Sequence, residues 1–218
     1  MKIPFTIDDF LGVFEHYNVS IWPLQTLLYI LGLIAVFSVI TNRKKSTEIT
    51  FSILALFWLW MGVVYHITYF SPINKAAYGF GVVFILQGIA FFYVGVIKKQ
   101  IQFSFSLSGA GILGLLFILY ALVIYPIAGY YTGHIYPAAP TFGVPCPTTI
   151  FTFGILLFST NKVPWYIILI PFLWSLIGFS AALNLSVRED FGLVIAGVVS
   201  TAILLFFKPD RQEEAIIA

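Results

Sequence analysis

The sequence predicts an all-α integral membrane protein, a polytopic bundle of about seven transmembrane helices with a short, broken fifth helix. Three observations predict it: a very apolar composition, seven long uncharged stretches, and an uneven distribution of basic residues among the loops. Of the 218 residues 60% are hydrophobic and 9% are charged, whereas about 25% of the residues of soluble domains are charged. The composition therefore indicates that most of the protein surface faces lipid rather than water.

The same composition excludes several classes of function. A net charge of +2 is too small to indicate a nucleic-acid partner. The single cysteine, Cys146, excludes an intrachain disulfide and any CxxC motif. Three acids, Asp8, Asp9 and Glu15, lie among the first twenty residues, so we expect no cleavable signal peptide there.

Length and hydropathy define the predicted helices. About 20 mostly apolar residues cross a hydrocarbon core of about 30 Å. We predict helices at 21–40, 49–69, 76–97, 107–128, 147–160, 164–183 and 191–207, of which the fifth is the weak one because it is short. We predict a single membrane domain over residues 1–218, with an outer interfacial segment at 1–20, the bundle at 21–207 and a cytoplasmic tail at 208–218.

The basic residues of the loops predict the orientation. One set of loops carries Arg43, Lys44, Lys45, Lys98, Lys99, Lys162, Lys208 and Arg211, and the other carries Lys2, Lys75 and Arg188. Cytoplasmic loops are enriched in Lys and Arg. We therefore predict the N-terminus outside and the C-terminus in the cytoplasm, in the cell membrane of a prokaryote.

The segment before the first span predicts a short amphipathic helix. Thr6 is a suitable N-cap, and Asp8 and Asp9 suit the first turn. Apolar residues follow at helical spacing, namely Ile7, Phe10, Leu11 and Phe14. We expect this helix to lie on the outer interface, with its apolar face in the headgroups and its acids in water.

The fifth helix is the exception among the spans. From 148 to 160 it measures about 20 Å at 1.5 Å per residue, which is too short to cross the core. The segment before it is apolar but holds Pro140, Gly143, Pro145 and Pro147, which predict an irregular backbone. Such a backbone must be covered by neighbouring helices or line a wet cavity, so this stretch is the predicted functional region.

Four residues with metal-ligand or acid-base chemistry stand out: His16, His66, His134 and Cys146, all on the predicted outer side. They indicate a metal or haem site or a proton-handling cluster. The favoured alternative is that the histidines form hydrogen bonds at headgroup level. Cys146 either binds a soft cation or substrate beside free carbonyls or, as we favour, only packs. The candidate ligand-binding residues are His66, Asn74, His134, Thr141, Cys146, Thr148 and Thr149.

Two further patterns narrow the function. The glycines of segment 109–114 match the GxGxxG dinucleotide motif, but no strand precedes them, so we predict close helix packing instead. No Asp, Glu, Lys or Arg lies within the seven predicted spans. Ion-driven carriers usually need intramembrane carboxylates, so this absence disfavours such a carrier.

Three segments carry a family resemblance: FTIDDFLGVFEHYNVSIWPLQ, WMGVVYHITYFSPINKAAYGFGVVFILQG and GHIYPAAPTFGVPCPTTIFTFGILL. Together they resemble a family of prokaryotic multi-pass membrane proteins known only as domain of unknown function 6064. The resemblance spans the whole chain, and PTFGVPCPTTIFTFG is its most specific part. It implies a multi-pass membrane protein and brings no activity, ligand or site residue with it.

Three functional hypotheses remain open. The leading one is a non-enzymatic, permease-type protein that binds a small solute or metal ion in an outward-facing pocket. That pocket would lie between the second helix, the irregular stretch and the fifth helix. The second is a membrane haem or metal oxidoreductase that uses His66 and His134. The third is a scaffold or accessory subunit of a membrane complex.

Overall fold

Helices make up most of the protein. The computed structural model describes residues 4–43 and 45–207, apart from the side chain of Ala181. The helices are α1 (Ile7–Ile21), α2 (Leu24–Thr41), α3 (Ser46–Phe70), α4 (Ala77–Ile97), α5 (Gly109–Thr132), α6 (Pro145–Leu156), α7 (Trp165–Leu185) and α8 (Arg188–Phe207). Within these ranges no strand forms, and β-type pairing is limited to two isolated bridges. The predicted all-α class is confirmed.

The helices have the lengths of a membrane bundle. Among the described residues, α2, α3, α4, α5, α7 and α8 are long and apolar enough to cross a membrane, and α6 is a shorter apolar helix of 12 residues. The protein is a helical membrane bundle. The number of helices that cross and their orientation stay predictions, and the predicted tail at 208–218 lies outside the described residues.

Proline explains where two predicted helices differ from the structure. The first span, predicted to begin at Ile21, begins at Leu24, because Trp22 and Pro23 separate it from α1. The fifth helix begins at Pro145 rather than Pro147. Prolines are tolerated in a first helical turn, where backbone N–H groups have no intrahelical acceptor.

The α6 helix lies at the centre of the bundle. Every residue of α6 except Cys146 is buried, as expected for a helix that is apolar on all sides. Gly114 of α5 packs directly on it, because a Cβ at Gly114 would lie 2.7 Å from the carbonyl oxygen of Gly154. The predicted close packing of the GxGxxG segment is confirmed.

The α1 helix covers one end of the bundle, which we call the α1 end. Its predicted N-cap is confirmed, since Thr6 and Asp9 form a capping box. Phe14 stacks on Tyr65 at a centroid distance of 5.9 Å, so this apolar residue of α1 contacts α3. The interfacial position of α1 stays a prediction.

The opposite end of the bundle, which we call the basic end, is built by two connections. Residues 98–108 and 157–164 meet there, through hydrogen bonds from Ser104 N to Phe158 O (3.0 Å) and from Thr160 N to Gln102 O (2.8 Å). The chain therefore passes back and forth between the α1 end and the basic end. The α1 end is the one predicted to face outward.

Candidate functional site

Two acids lie buried at the α1 end, in the first turn of α8. Glu189 is 2% exposed and Asp190 is 4% exposed. The last span was predicted to begin at Phe191, which left both acids in a loop. That boundary was wrong, because α8 begins at Arg188 with a single 3₁₀ turn that continues into the α-helix. The expectation that no acid lies within a span is overturned with it.

Glu189 forms an ion pair with His134. The distance from His134 Nδ1 to Glu189 Oε1 is 2.7 Å, and Thr132 Oγ1 donates to Glu189 Oε2 at 3.3 Å. Gly129 makes room for this carboxylate, because a Cβ there would lie 3.2 Å from Oε1. The hydrogen bond with Glu189 raises the pKa of His134 above its ordinary value, against the opposing effect of burial.

Asp190 has a different set of partners. Tyr125 donates its hydroxyl to Asp190 Oδ1 at 2.5 Å, and the Cys146 thiol lies beside the same carboxylate. Within residues 4–43 and 45–207, Asp190 forms no ion pair. A buried carboxyl group that has hydroxyl and thiol neighbours but no cation is suited to hold a proton and pass it on.

These residues form one compact group, which we call the acid cluster: Tyr125, Thr132, His134, Cys146, Glu189 and Asp190. They come from α5, the 133–144 segment, α6 and α8, and Tyr120 helps to join these elements by donating its hydroxyl to Glu189 O at 2.7 Å. The His134 side chain is 9% exposed and that of Glu189 is fully buried. Thr132 is the exposed member of the cluster and Cys146 is half-buried, whereas Glu189 and Asp190 form the interior, with His134 next to them.

The irregular stretch before α6 is covered by α1 and α2, as expected for non-helical backbone in a bundle. Asn18 donates to Pro137 O (2.7 Å) and Ala139 O (2.8 Å), and its own oxygen accepts from Thr141 Oγ1 at 3.0 Å. Gln25 Nε2 also donates to the Asn18 oxygen. Backbone groups of the stretch are thus paired by side chains.

Tyr17 and Thr148 complete this pairing near the start of α6. Tyr17 donates its hydroxyl to Gly143 O at 3.2 Å, and burial raises the pKa of Tyr17, so the phenol keeps the proton that it donates. Gly143 N donates to Thr148 Oγ1 at 3.0 Å. Thr148, a candidate ligand, therefore satisfies the broken backbone. Thr149 Oγ1 is buried and has no hydrogen-bond partner among the described residues.

An open cavity lies beside the covered stretch. Its volume is about 450 Å³, and it is lined by Val19, Trp22, Gln25 and Tyr136. The Tyr136 hydroxyl donates to Gln25 Oε1 at 3.3 Å, so the amide of Gln25 belongs both to the cavity wall and to the network around Asn18. A ligand in this cavity would meet aromatic surface and one amide group.

His66 has surroundings of another kind. It lies in the π-helical part of α3 (Met61–Phe70), is fully buried, and has no hydrogen-bond partner for either ring nitrogen among the described residues. Aromatic rings fill the space around it, including Phe84 at a centroid distance of 4.5 Å and Trp174 at 5.1 Å. In the described structure the ring contacts of His66 and the side-chain hydrogen bonds of His134 share no residue.

The other predicted ligands lie apart from the acid cluster. His16 is exposed, with its ring 5.3 Å from that of Tyr69, and Asn74 accepts from Ala76 N at 3.1 Å in the turn before α4. In the part of the chain that the structure describes, no three His, Cys, Asp or Glu side chains lie close enough to hold a metal ion. His16, His66, His134 and Cys146 thus do not form a joint metal site.

Sequence reasoning found His134 and Cys146 but missed Glu189, Asp190 and Tyr125. A signal was present, since two acids stand directly before an apolar stretch on the predicted outer side. A helix that begins one turn earlier brings both acids into the bundle. Hydropathy alone ends a span at the nearest charge and so excludes them.

Comparison with known proteins adds the family of the chain. No curated protein and no solved structure matches the sequence. A family model described as a family of unknown function, DUF6064, matches residues 7–215. This match covers nearly the whole chain, including α1, the irregular stretch and α8. The protein belongs to the DUF6064 family, whose function is unknown.

Proposed function

We propose that the protein is a permease-type membrane protein that binds a small solute at the α1 end and couples its binding to proton exchange in the acid cluster. The observation that carries this proposal is the burial of Glu189 and Asp190 in the first turn of an apolar helix. Ionisable residues inside membrane bundles are costly to bury and commonly mark ion or proton pathways.

Proton exchange is supported by the order of the groups from the surface inward. His134 is 9% exposed, lies beside the exposed Thr132 and is hydrogen-bonded to Glu189, and Asp190 follows Glu189 in the chain. Tyr125 and Cys146 extend the polar contacts towards α6. Such a series of titratable groups can take up a proton at His134 and hold it at a buried carboxyl group.

Solute binding is supported by the cavity and the irregular stretch. Non-helical backbone between half-buried helices often lines the substrate site of a transporter. The Tyr65 ring of α3 packs edge-on against the Tyr17 ring at a centroid distance of 5.6 Å. The residues of α1 that cover the irregular stretch are therefore in direct contact with α3.

The metal-ion form of the leading hypothesis receives no support from the gathered side chains, and no contact of His66 or His134 favours the haem hypothesis. We therefore propose a permease in preference to an oxidoreductase. By its family resemblance and its loop charges, we further propose that it lies in the cell membrane of a prokaryote with the α1 end outward.

Uptake into proteoliposomes tests this function. Purified protein is reconstituted and offered a panel of labelled amino acids, sugars and organic acids, with and without a proton gradient directed from the α1 end. We expect the gradient to accelerate uptake of at least one solute by the wild type. Glu189→Gln should remove the acceleration, because an amide cannot exchange a proton.

The matched control is Glu15→Gln, which removes an exposed acid from α1 and should leave the acceleration unchanged. If the proton gradient changed the uptake rate of no solute in the panel, the proposal would be contradicted. So would a Glu189→Gln variant that responds to the gradient as the wild type does.

A further inference from the structure

A second pocket lies at the basic end of the bundle, which is opposite to the end that holds the acid cluster. Its volume is about 180 Å³. Its wall is formed by the connection between α2 and α3, the first turn of α3, the end of α4 and the 98–108 segment. Among the described residues, three cations line it, Arg43, Lys45 and Lys99, together with one acid, Glu48. The charges of these described residues sum to +2.

The single acid is already paired with one of the cations. Lys99 Nζ lies 3.0 Å from Glu48 Oε1. This ion pair holds Lys99 at the rim of the pocket and leaves Arg43 and Lys45 without an ion pair in the described ranges. Two positive charges thus remain for a ligand of opposite charge.

A polar donor at the start of α3 faces the same pocket. The N-terminus of α3 lacks a side-chain cap, but its first backbone N–H is already used, because Ser46 N donates to Arg43 O at 2.9 Å. Ser46 lines the pocket and is only 5% exposed. Its hydroxyl is therefore a hydrogen-bond donor in the wall of the pocket.

The surroundings of the pocket distinguish a lipid from a soluble ion. Ile40, Ile49 and Ile97 lie within a few residues of the lining groups and are 47%, 44% and 58% exposed. Apolar side chains of this kind, beside cations at the ends of membrane helices, fit the acyl chains and the headgroup of one molecule. A free phosphate ion would use only the polar half of this arrangement.

We propose that this pocket binds the phosphate group of an anionic phospholipid. Arg43 and Lys45 neutralise the phosphate, while the Ser46 hydroxyl donates a hydrogen bond to it. The acyl chains lie along the exposed isoleucines. If the predicted orientation holds, the site faces the cytoplasmic leaflet, where basic segments next to membrane helices recognise anionic lipids.

Native mass spectrometry of the purified protein in detergent tests the site. The protein is titrated separately with phosphatidylglycerol, phosphatidylcholine and inorganic phosphate. We expect phosphatidylglycerol to bind more tightly than phosphatidylcholine. Arg43→Gln and Lys45→Gln should each weaken phosphatidylglycerol binding about fivefold, the loss expected for one cation at a membrane surface.

The control is Lys162→Gln, which removes one exposed cation from the same end of the bundle but outside the pocket. It should bind phosphatidylglycerol as the wild type does, and the thermal midpoints of all variants without lipid should agree. A loss as large in Lys162→Gln as in Lys45→Gln would overturn the proposal, since the attraction would then be general. Inorganic phosphate that displaces the lipid at equal concentration would also overturn it, since the ligand would then be a soluble anion.

Discussion

The acid cluster and the surroundings of His66 are two buried groups of titratable side chains with opposite chemistry. In the acid cluster, Glu189 has an imidazole and a hydroxyl as partners, and Asp190 has a phenol and a thiol. His66 is surrounded by rings, and neither of its nitrogens has a hydrogen-bond partner among the described residues.

This difference means that the acid cluster can hold a charged group, whereas the surroundings of His66 provide only packing contacts. A buried charge needs a counter-charge and hydrogen bonds to be tolerated, and the acid cluster supplies both to Glu189. Aromatic rings offer His66 no strong acceptor, so its imidazole contributes mainly through shape and ring contacts. Burial of a titratable residue is therefore weak as a sign of function unless partners accompany it.

The largest effect is expected from removing the cation of the acid cluster. His134→Met leaves the Glu189 carboxylate buried without a counter-charge, and breaking such a pair costs about 3 kcal/mol. Denaturation in detergent at neutral pH measures the free energy of unfolding. His16→Met, at an exposed histidine, is the control and should change it by less than about 0.5 kcal/mol. If His134→Met and His16→Met lowered the free energy of unfolding equally, the ion pair of the acid cluster would not stabilise the fold.

A smaller loss is expected at the second acid. Tyr125→Phe removes the hydroxyl that donates to Asp190, and leaving a buried acceptor without its donor costs about 2 kcal/mol. Tyr131→Phe removes a hydroxyl from a residue that is 82% exposed and should leave stability unchanged. A Tyr125→Phe variant as stable as the wild type would show that Asp190 does not depend on this phenol.

The ion pair also predicts a dependence on pH. The pKa of His134 is raised in the folded protein from an unfolded value of 6.5. The stability that the protonated His134 contributes is therefore fully present below about pH 6.5. This stability is lost as the pH rises through the raised pKa of the folded protein. The thermal midpoint of the wild type should fall as the pH rises across this window, by less than His134→Met lowers it. The His134→Gln variant should not show the fall that is due to His134. If the midpoints of the wild type and of His134→Gln fell equally, the pH dependence would come from other titratable groups.

The smallest effect is expected at His66. His66→Met keeps an adaptable apolar side chain that contacts aromatic rings well, and it removes two ring nitrogens that lack partners in the described structure. We expect the free energy of unfolding to change by less than about 1 kcal/mol in either direction. A loss of about 3 kcal/mol, as at His134, would mean that His66 has a polar partner and would end the contrast between the two sites.

The fold was predictable from sequence where one physical signal dominates. Hydropathy located the long helices, and Thr6 with the acids after it located α1, because a cap and an apolar periodicity act locally. Prolines explain the errors at Leu24 and Pro145. Pro145 was taken as part of an irregular segment, although a proline in a first turn starts a helix as readily as it interrupts one.

Only half of the candidate site was predictable, because part of it depends on contacts between residues that are distant in the sequence. His134 and Cys146 were singled out by residue type, but Glu189 was assigned to a loop because charge ends a hydropathic stretch. Its burial depends on Gly129 and on His134, which lies 55 residues away in the chain. Contacts between distant elements decide whether a charge at the end of a helix is solvated or enclosed, and a single sequence does not state them.

The most direct test of the central claim, that the acid cluster exchanges protons, is infrared difference spectroscopy of the reconstituted protein during a change of pH. The account predicts a buried carboxyl C=O band that appears and disappears with pH in the wild type. That band should be absent or altered in Asp190→Asn and in Glu189→Gln, and unchanged in Glu15→Gln. A titrating band that is identical in all four proteins, or no such band in the wild type, would contradict the claim.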